Sequence, residues 1–174
     1  MPELAAPLRQ FVLHWGEMGA RWGVNRTVAQ IHALLYVSER ALTAEEIADT
    51  LSVARSNVSV SLRELQAWGL VRVVHVLGDR RDHFQTTKDV WEMFQTIVEG
   101  RKRREVDPIR GVLRELMNAP GPDLDDYARE RLADLLAFFE MTTTWYEQVR
   151  QMPKSTLARF AKMGGRVARL LDGA

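Results

Sequence analysis

The sequence predicts a mainly α-helical chain broken once by a two-stranded β-hairpin, and three observations carry this. Apolar residues recur at spacings of three and four through most of the 174 positions. Only Leu70–Val76 (LVRVVHV) is dense in β-branched residues, and Leu77-Gly78-Asp79 behind it is a turn signal. Ahead of that stretch, Thr43 and Glu46 stand at capping-box spacing and open a short helix, which a turn joins to a second one.

The elements follow in order. From Leu4 to Trp22, a stripe of Leu8, Phe11, Trp15, Met18 and Trp22 predicts a first helix, ended by Gly23. Asn25 is placed to cap a second helix, Arg26–Val37, which is apolar on nearly every side and is therefore expected to be buried. Thr43 opens a short third helix with Ile47, Ala48 and Leu51 inward, and a turn at Ser52-Val53 leads to a fourth, Ala54–Trp68, stopped by Gly69. After the strand at Leu70–Val76, Phe84–Thr86 is expected as a short return strand. The remainder, from Lys88, reads as helix, with a restart or kink at Asp107-Pro108 and a loop at Asn118–Pro122. Beyond the loop Ala128, Leu132, Leu135, Phe139, Thr142, Tyr146 and Val149 form a 4-3 seam; it suits a partner helix from the same chain or another copy equally well. Pro153 introduces a last helix carrying Gly164-Gly165. Helical domains with one hairpin after the fourth helix are winged helices, so the expected fold is a winged helix-turn-helix with a two-stranded β-wing, flanked by N- and C-terminal helices.

Composition narrows the function. With 46% hydrophobic and 27% charged residues the chain can bury a core and reads as a soluble, cytoplasmic protein without a signal peptide or membrane span. The absence of cysteine excludes disulfides, thiol catalysis and cysteine-ligated metal, and the four scattered histidines point to no metal site. No phosphate-cradling glycine loop and no nucleophile–base arrangement nominates an enzyme or a cofactor. The net charge is +1, but Ala54–Arg104 holds ten basic and six acidic residues, which is +4 and leaves −3 elsewhere. A basic middle between acidic flanks suits a polyanion partner.

At 100° per residue the fourth helix turns Val58, Leu62 and Leu65 inward and Ser56, Val60 and Arg63 outward, with Asn57 and Ser59 on the flanks. Such a helix can hydrogen-bond base edges and phosphates in a major groove, or it can be a plain amphipathic surface helix. The hairpin tip, Gly78-Asp79-Arg80-Arg81-Asp82, sets two guanidiniums on a projecting turn, which suits a minor groove, with the aspartates placed to hold them. A winged-helix module that binds protein instead of DNA remains the alternative; it has no need of exposed wing arginines.

The chain resembles the MarR-like winged-helix regulators, in particular their GbsR-type branch. The resemblance runs from about Phe11 to Pro108, through His14–Gly19, Trp22-Gly23, Asn25-Arg26, Gln30–Tyr36, Glu45–Ala48, Arg55, Asn57–Ser59, Leu62–Leu65, Trp68–Val71, Gly78–Arg80 and Arg101–Pro108. It implies a sequence-specific DNA-binding transcriptional regulator, in the repressor role on a pseudo-palindromic operator, acting as a homodimer on double-stranded DNA. It places Arg55, Ser56, Asn57, Ser59 and Arg63 on the recognition helix, Arg80 and Arg81 on the wing, and Thr43 at the start of the supporting helix. One departure is Ala54, where such proteins often carry a serine cap, so that Ser52 must cap or the helix starts uncapped. The implied division is residues 1–24 for a helix of the core or dimer interface, 25–87 for the DNA-binding domain and 88–174 for helical dimerisation. Some members of the branch respond to choline-like compounds, and Trp15, Trp22, Trp91, Trp145 and Tyr146 are the aromatics available for a cage around such an effector, unless they are packed as core.

Overall fold

A computed structural model of the chain describes residues 4–118 and 124–163. Its elements are α1 (Ala6–Arg21), α2 (Arg26–Val37), β1 (Leu42–Thr43), α3 (Ala44–Leu51), α4 (Arg55–Ala67), β2 (Val71–Val76), β3 (Asp79–Thr86), α5 (Val90–Arg101), α6 (Asp107–Asn118), α7 (Asp126–Arg150) and α8 (Lys154–Met163). The chain divides into two compact units, the first ending at Val98 and the second beginning at Glu99. Among the described residues no helix is long and apolar enough to cross a membrane. Gly164-Gly165, and the loop expected after Asn118, lie outside the described residues.

The first unit is built around α2, whose Val28, Ile31, Ala33, Leu34 and Leu35 are all buried, as its apolar circumference requires. Asn25 caps it, its Oδ1 accepting from the Thr27 amide at 2.9 Å. At the other end the Lys88 ammonium donates to the carbonyls of Leu35 (2.6 Å), Tyr36 (2.8 Å) and Ser38 (2.6 Å), placing a cation on the negative end of the helix. The first-helix stripe is packed only in its middle: Phe11 and Trp15 reach the core, while Leu8, Met18 and Trp22 stay exposed. Two glycines turn α1 toward a different face. A Cβ on Gly19 would stand 2.5 Å from Ala29 Cβ, and one on Gly16 would stand 2.6 Å from Gln30 Cγ. The α1–α2 crossing is thus set by Gly16 and Gly19, which an apolar periodicity does not register.

The sheet has three strands, ordered β1-β3-β2, where the sequence predicts two. Leu42 and Thr43 pair with Phe84 and His83 along the second edge of β3. Two residues give no alternation to read, so β1 is invisible before its partner is in place. The return strand is longer than Phe84–Thr86, beginning at Asp79, because the two-residue turn Leu77-Gly78 closes the hairpin with Val76 opposite Asp79. Gly78 takes φ +84°, a conformation glycine adopts without strain.

In the second unit the expected break at Asp107-Pro108 is a π-helical turn, Lys102–Val106, leading into α6. Pro108 has no N–H and its ring crowds the carbonyl one turn back, so the ladder widens and the Asp107 amide bonds to Lys102 O. Lys102 then pairs with Asp107 (3.1 Å) and Glu147 (3.4 Å), tying the turn to α7. Leu113 of α6 and Thr143 of α7 are buried. The 4-3 seam of α7 is half-buried apart from Leu135, whereas a second stripe on the same helix, Phe138, Met141 and Trp145, is exposed.

Candidate nucleic-acid interface

The inward face of α4 is as the angles require: Val58, Leu62 and Leu65 are 0–2% exposed, joined by Ser61. This fixes the rotation of the helix and leaves Arg55, Ser56, Asn57, Val60 and Arg63 on the exposed side. Ser59 is half-buried, and its hydroxyl donates to Arg55 O at 3.1 Å. The helix starts on Ala54 without a side-chain cap. Ser52 does not supply one, because it ends α3 in the left-handed conformation (φ 53°). The first-turn amides of α4 are therefore left for solvent or a ligand. Among the described residues the Asn57 side chain makes no hydrogen bond and Arg63 has no ionic partner.

Thr43 is buried and spends its hydroxyl on the start of α3: Glu46 N donates to Thr43 Oγ1 (3.3 Å), and Thr43 N donates to Glu46 Oε2 (2.8 Å). Arg40 grips the same carboxylate with both terminal nitrogens, at 2.7 and 3.2 Å, and chiefly for that reason Glu46 is held down to about 2. The positive end of α3 is occupied by its own acids, which leaves Thr43 a supporting part. Glu45, one position earlier, pairs with Arg55 of α4 and so restrains a guanidinium on the exposed face. Periodicity does not flag Glu45; an acid in the first turn of the supporting helix, ten residues before an arginine, is the only trace.

On the wing, three residues of β3, Arg80-Arg81-Asp82, stand opposite the single residue His75, an irregularity that carries the arginines out of the regular pleat. Asp79 holds Arg81: its Oδ1 accepts from the Arg81 amide (3.0 Å), and its carboxylate accepts from Nε (3.0 and 3.1 Å) and Nη2 (2.5 Å). These bonds pull the Asp79 carboxyl well below the usual carboxylate range and push Arg81 up, with Glu45 and Glu46 adding smaller Coulombic contributions. Arg80 and Asp82 are exposed and make no such pair. His83 pairs with Val74 in the ladder, is buried, and its Nδ1 lies 3.0 Å from Arg81 O. Between α3, α4 and the hairpin lies a groove with Glu45, Arg55, Arg63, Arg81 and Asp82 on its walls and Leu62 and Phe84 beneath.

The five candidate cage aromatics are divided. Trp15 is committed to the core, with ring centroids 5.5 Å from Phe11 and 6.5 Å from His32. Trp22 is largely exposed and Trp91 half-buried in the first unit, while Trp145 is exposed and Tyr146 half-buried in the second.

A capped supporting helix, a polar outward helix and an arginine-bearing hairpin together define a winged helix-turn-helix. Residues 22–82 match the family model described as MarR family, which makes this segment similar to the winged helix-turn-helix of that family. Over 135 residues the chain is 19% identical to YvaV of Bacillus subtilis (strain 168), whose name assigns it to the HTH-type transcriptional regulators; the match covers 75% of this chain and 76% of YvaV. The fold aligns with the crystal structure of a transcriptional regulator at a TM-score of 0.65 and 21% identity, covering 90% of this chain and 99% of the other.

Proposed function

We propose that this protein is a transcriptional regulator of the GbsR-type branch that binds double-stranded DNA sequence-specifically as a homodimer, in the repressor role on a pseudo-palindromic operator. The observation that carries this reading is the row of exposed polar and basic side chains on α4 (Arg55, Ser56, Asn57 and Arg63) beside the bulged arginines of the wing. In this reading residues 25–87 bind DNA: α4 enters the major groove, and Arg80 and Arg81 meet the adjacent minor groove, where negative potential is concentrated. Residues 1–24 and 88–174 pair two copies. Supporting that role, Leu13, Met18 and Trp22 on α1 and Phe138, Met141 and Trp145 on α7 leave large apolar side chains exposed on a single chain. A two-fold pair would carry its recognition helices about 34 Å apart, one turn of B-DNA.

The test is selection of duplexes from a randomised library, followed by titration at several salt concentrations. The expected result is an inverted-repeat consensus bound by a species of twice the 19.9 kDa chain mass. Replacing both Arg80 and Arg81 by alanine should flatten the salt dependence by roughly two units per wing lost. Failure to enrich any sequence, with the double variant indistinguishable from the parent, would return the fold to the protein-binding alternative.

A further inference from the structure

Leu77 is the most exposed large apolar side chain among the described residues, at 104% of its reference area, and Val76 beside it is 45% exposed. It occupies the first position of the two-residue turn closing the wing. The turn itself asks only for glycine at the second position, where Gly78 supplies φ +84°; nothing in the backbone geometry calls for leucine before it. Polar residues are the usual occupants of such a turn, and a leucine there gains nothing from folding. Three and four residues further on, at the start of β3, stand two cations: among the described residues the Arg80 guanidinium makes no ion pair, and Arg81 is oriented by Asp79. The hairpin apex therefore presents an apolar tip, with two guanidiniums on the strand that leaves it. That combination fits the DNA minor groove, where arginines answer the phosphate potential and an apolar side chain can lie against sugar edges or wedge at a base step.

We propose that Leu77 is an apolar contact residue for the DNA minor groove, carried on the wing turn just ahead of Arg80 and Arg81; the proposal rests on the DNA-binding reading above. The side chain carries no charge, so its contribution is separable from that of the arginines. It also lies outside the core, so its replacement leaves the fold intact.

The experiment compares the wild type with Leu77→Ser and Leu77→Met on the best duplex that the wild type selects from a randomised library. Affinity is measured across a salt series, hydroxyl-radical footprints are taken, and melting temperatures are recorded. Leu77→Ser is expected to weaken binding roughly tenfold, the order that follows from losing most of one leucine's burial. Its salt slope and melting temperature should be unchanged, and protection of the sugars at the outer minor-groove positions should be lost. Leu77→Met should restore both affinity and protection. Serine binding within twofold of wild type with the same footprint overturns the inference, as does a loss of affinity accompanied by a smaller salt slope, the mark of displaced arginines. A wild type that selects no duplex overturns the DNA-binding reading itself; a wild type that binds well with an indifferent Leu77 overturns only this proposal.

Discussion

Acidification is expected to destabilise the first unit through one imidazole. His32 on α2 is 4% exposed, and Thr86 Oγ1 lies 3.3 Å from its Nε2. That hydroxyl already donates to Leu70 O at 2.7 Å, so Nε2 carries a proton and donates to it. Burial, with the Lys88 cation adding to it, lowers His32 from 6.5 to about 4. A group depressed in the folded state favours folding while neutral, so stability is full above pH 6.5 and is lost as pH falls from 6.5 toward 4. The full loss is about 3 kcal/mol at 1.36 kcal/mol per unit, and about 2 kcal/mol of it has gone by pH 5. Glu46, lowered to about 2 mainly by Arg40, adds its own loss only below about pH 4.5, so the window from 7.5 to 5 isolates the imidazole from that carboxylate. Urea unfolding at fixed protein concentration should show this decline in the wild type and a flatter profile in His32→Gln, whose amide can still donate to Thr86. The quantity compared is the change with pH, which is insensitive to any constant penalty of the glutamine. Equal declines in both proteins, or an NMR titration of His32 centred near 6.5, would refute the reasoning.

Three further outcomes are expected. Asn57→Ala should cost about 1–3 kcal/mol on the selected duplex, leave binding to a scrambled one unchanged and leave the melting temperature in place, since Asn57 caps nothing; equal losses on both duplexes would contradict base reading. Glu45→Gln should release Arg55, raising affinity for scrambled duplex and steepening its salt dependence by about one unit; in an Arg55→Gln background the effect should vanish. Gly19→Ala should destabilise the first unit by about 1–3 kcal/mol in chemical denaturation, because the new Cβ meets Ala29 Cβ and only a shift of backbone can relieve it.

The helices and the wing were legible because each announces itself locally. The capping box at Thr43 and the cap at Asn25 stand where their residue types place them, and the inward face of α4 follows from angle alone. What escaped depends on partners distant in sequence. The strand Leu42–Thr43 exists only against β3, and the α1–α2 crossing depends on what Gly16 and Gly19 face on α2. The proline at 108 marked a break, but only the i−5 bond of Asp107 shows that the chain widens into a π turn instead of stopping. The sequence sets Arg80 and Arg81 side by side near two aspartates; only the structure shows that Asp79 orients Arg81, while Arg80 makes no ion pair among the described residues.

The two-residue strand β1 also decides how the wing can behave as a moving part. β3 is gripped on both sides, by β2 and by β1, and β1 ends in the residue that caps α3. A push on the hairpin therefore does not stop at a hinge. It passes through Leu42 and Thr43 into the helix on which α4 rests. With wing and α4 joined through β1 and α3 in this way, the DNA-binding reading has the distance between their two footprints set by the fold. A binding site with one base pair inserted between those footprints could not be met by flexing; it would have to surrender one of them.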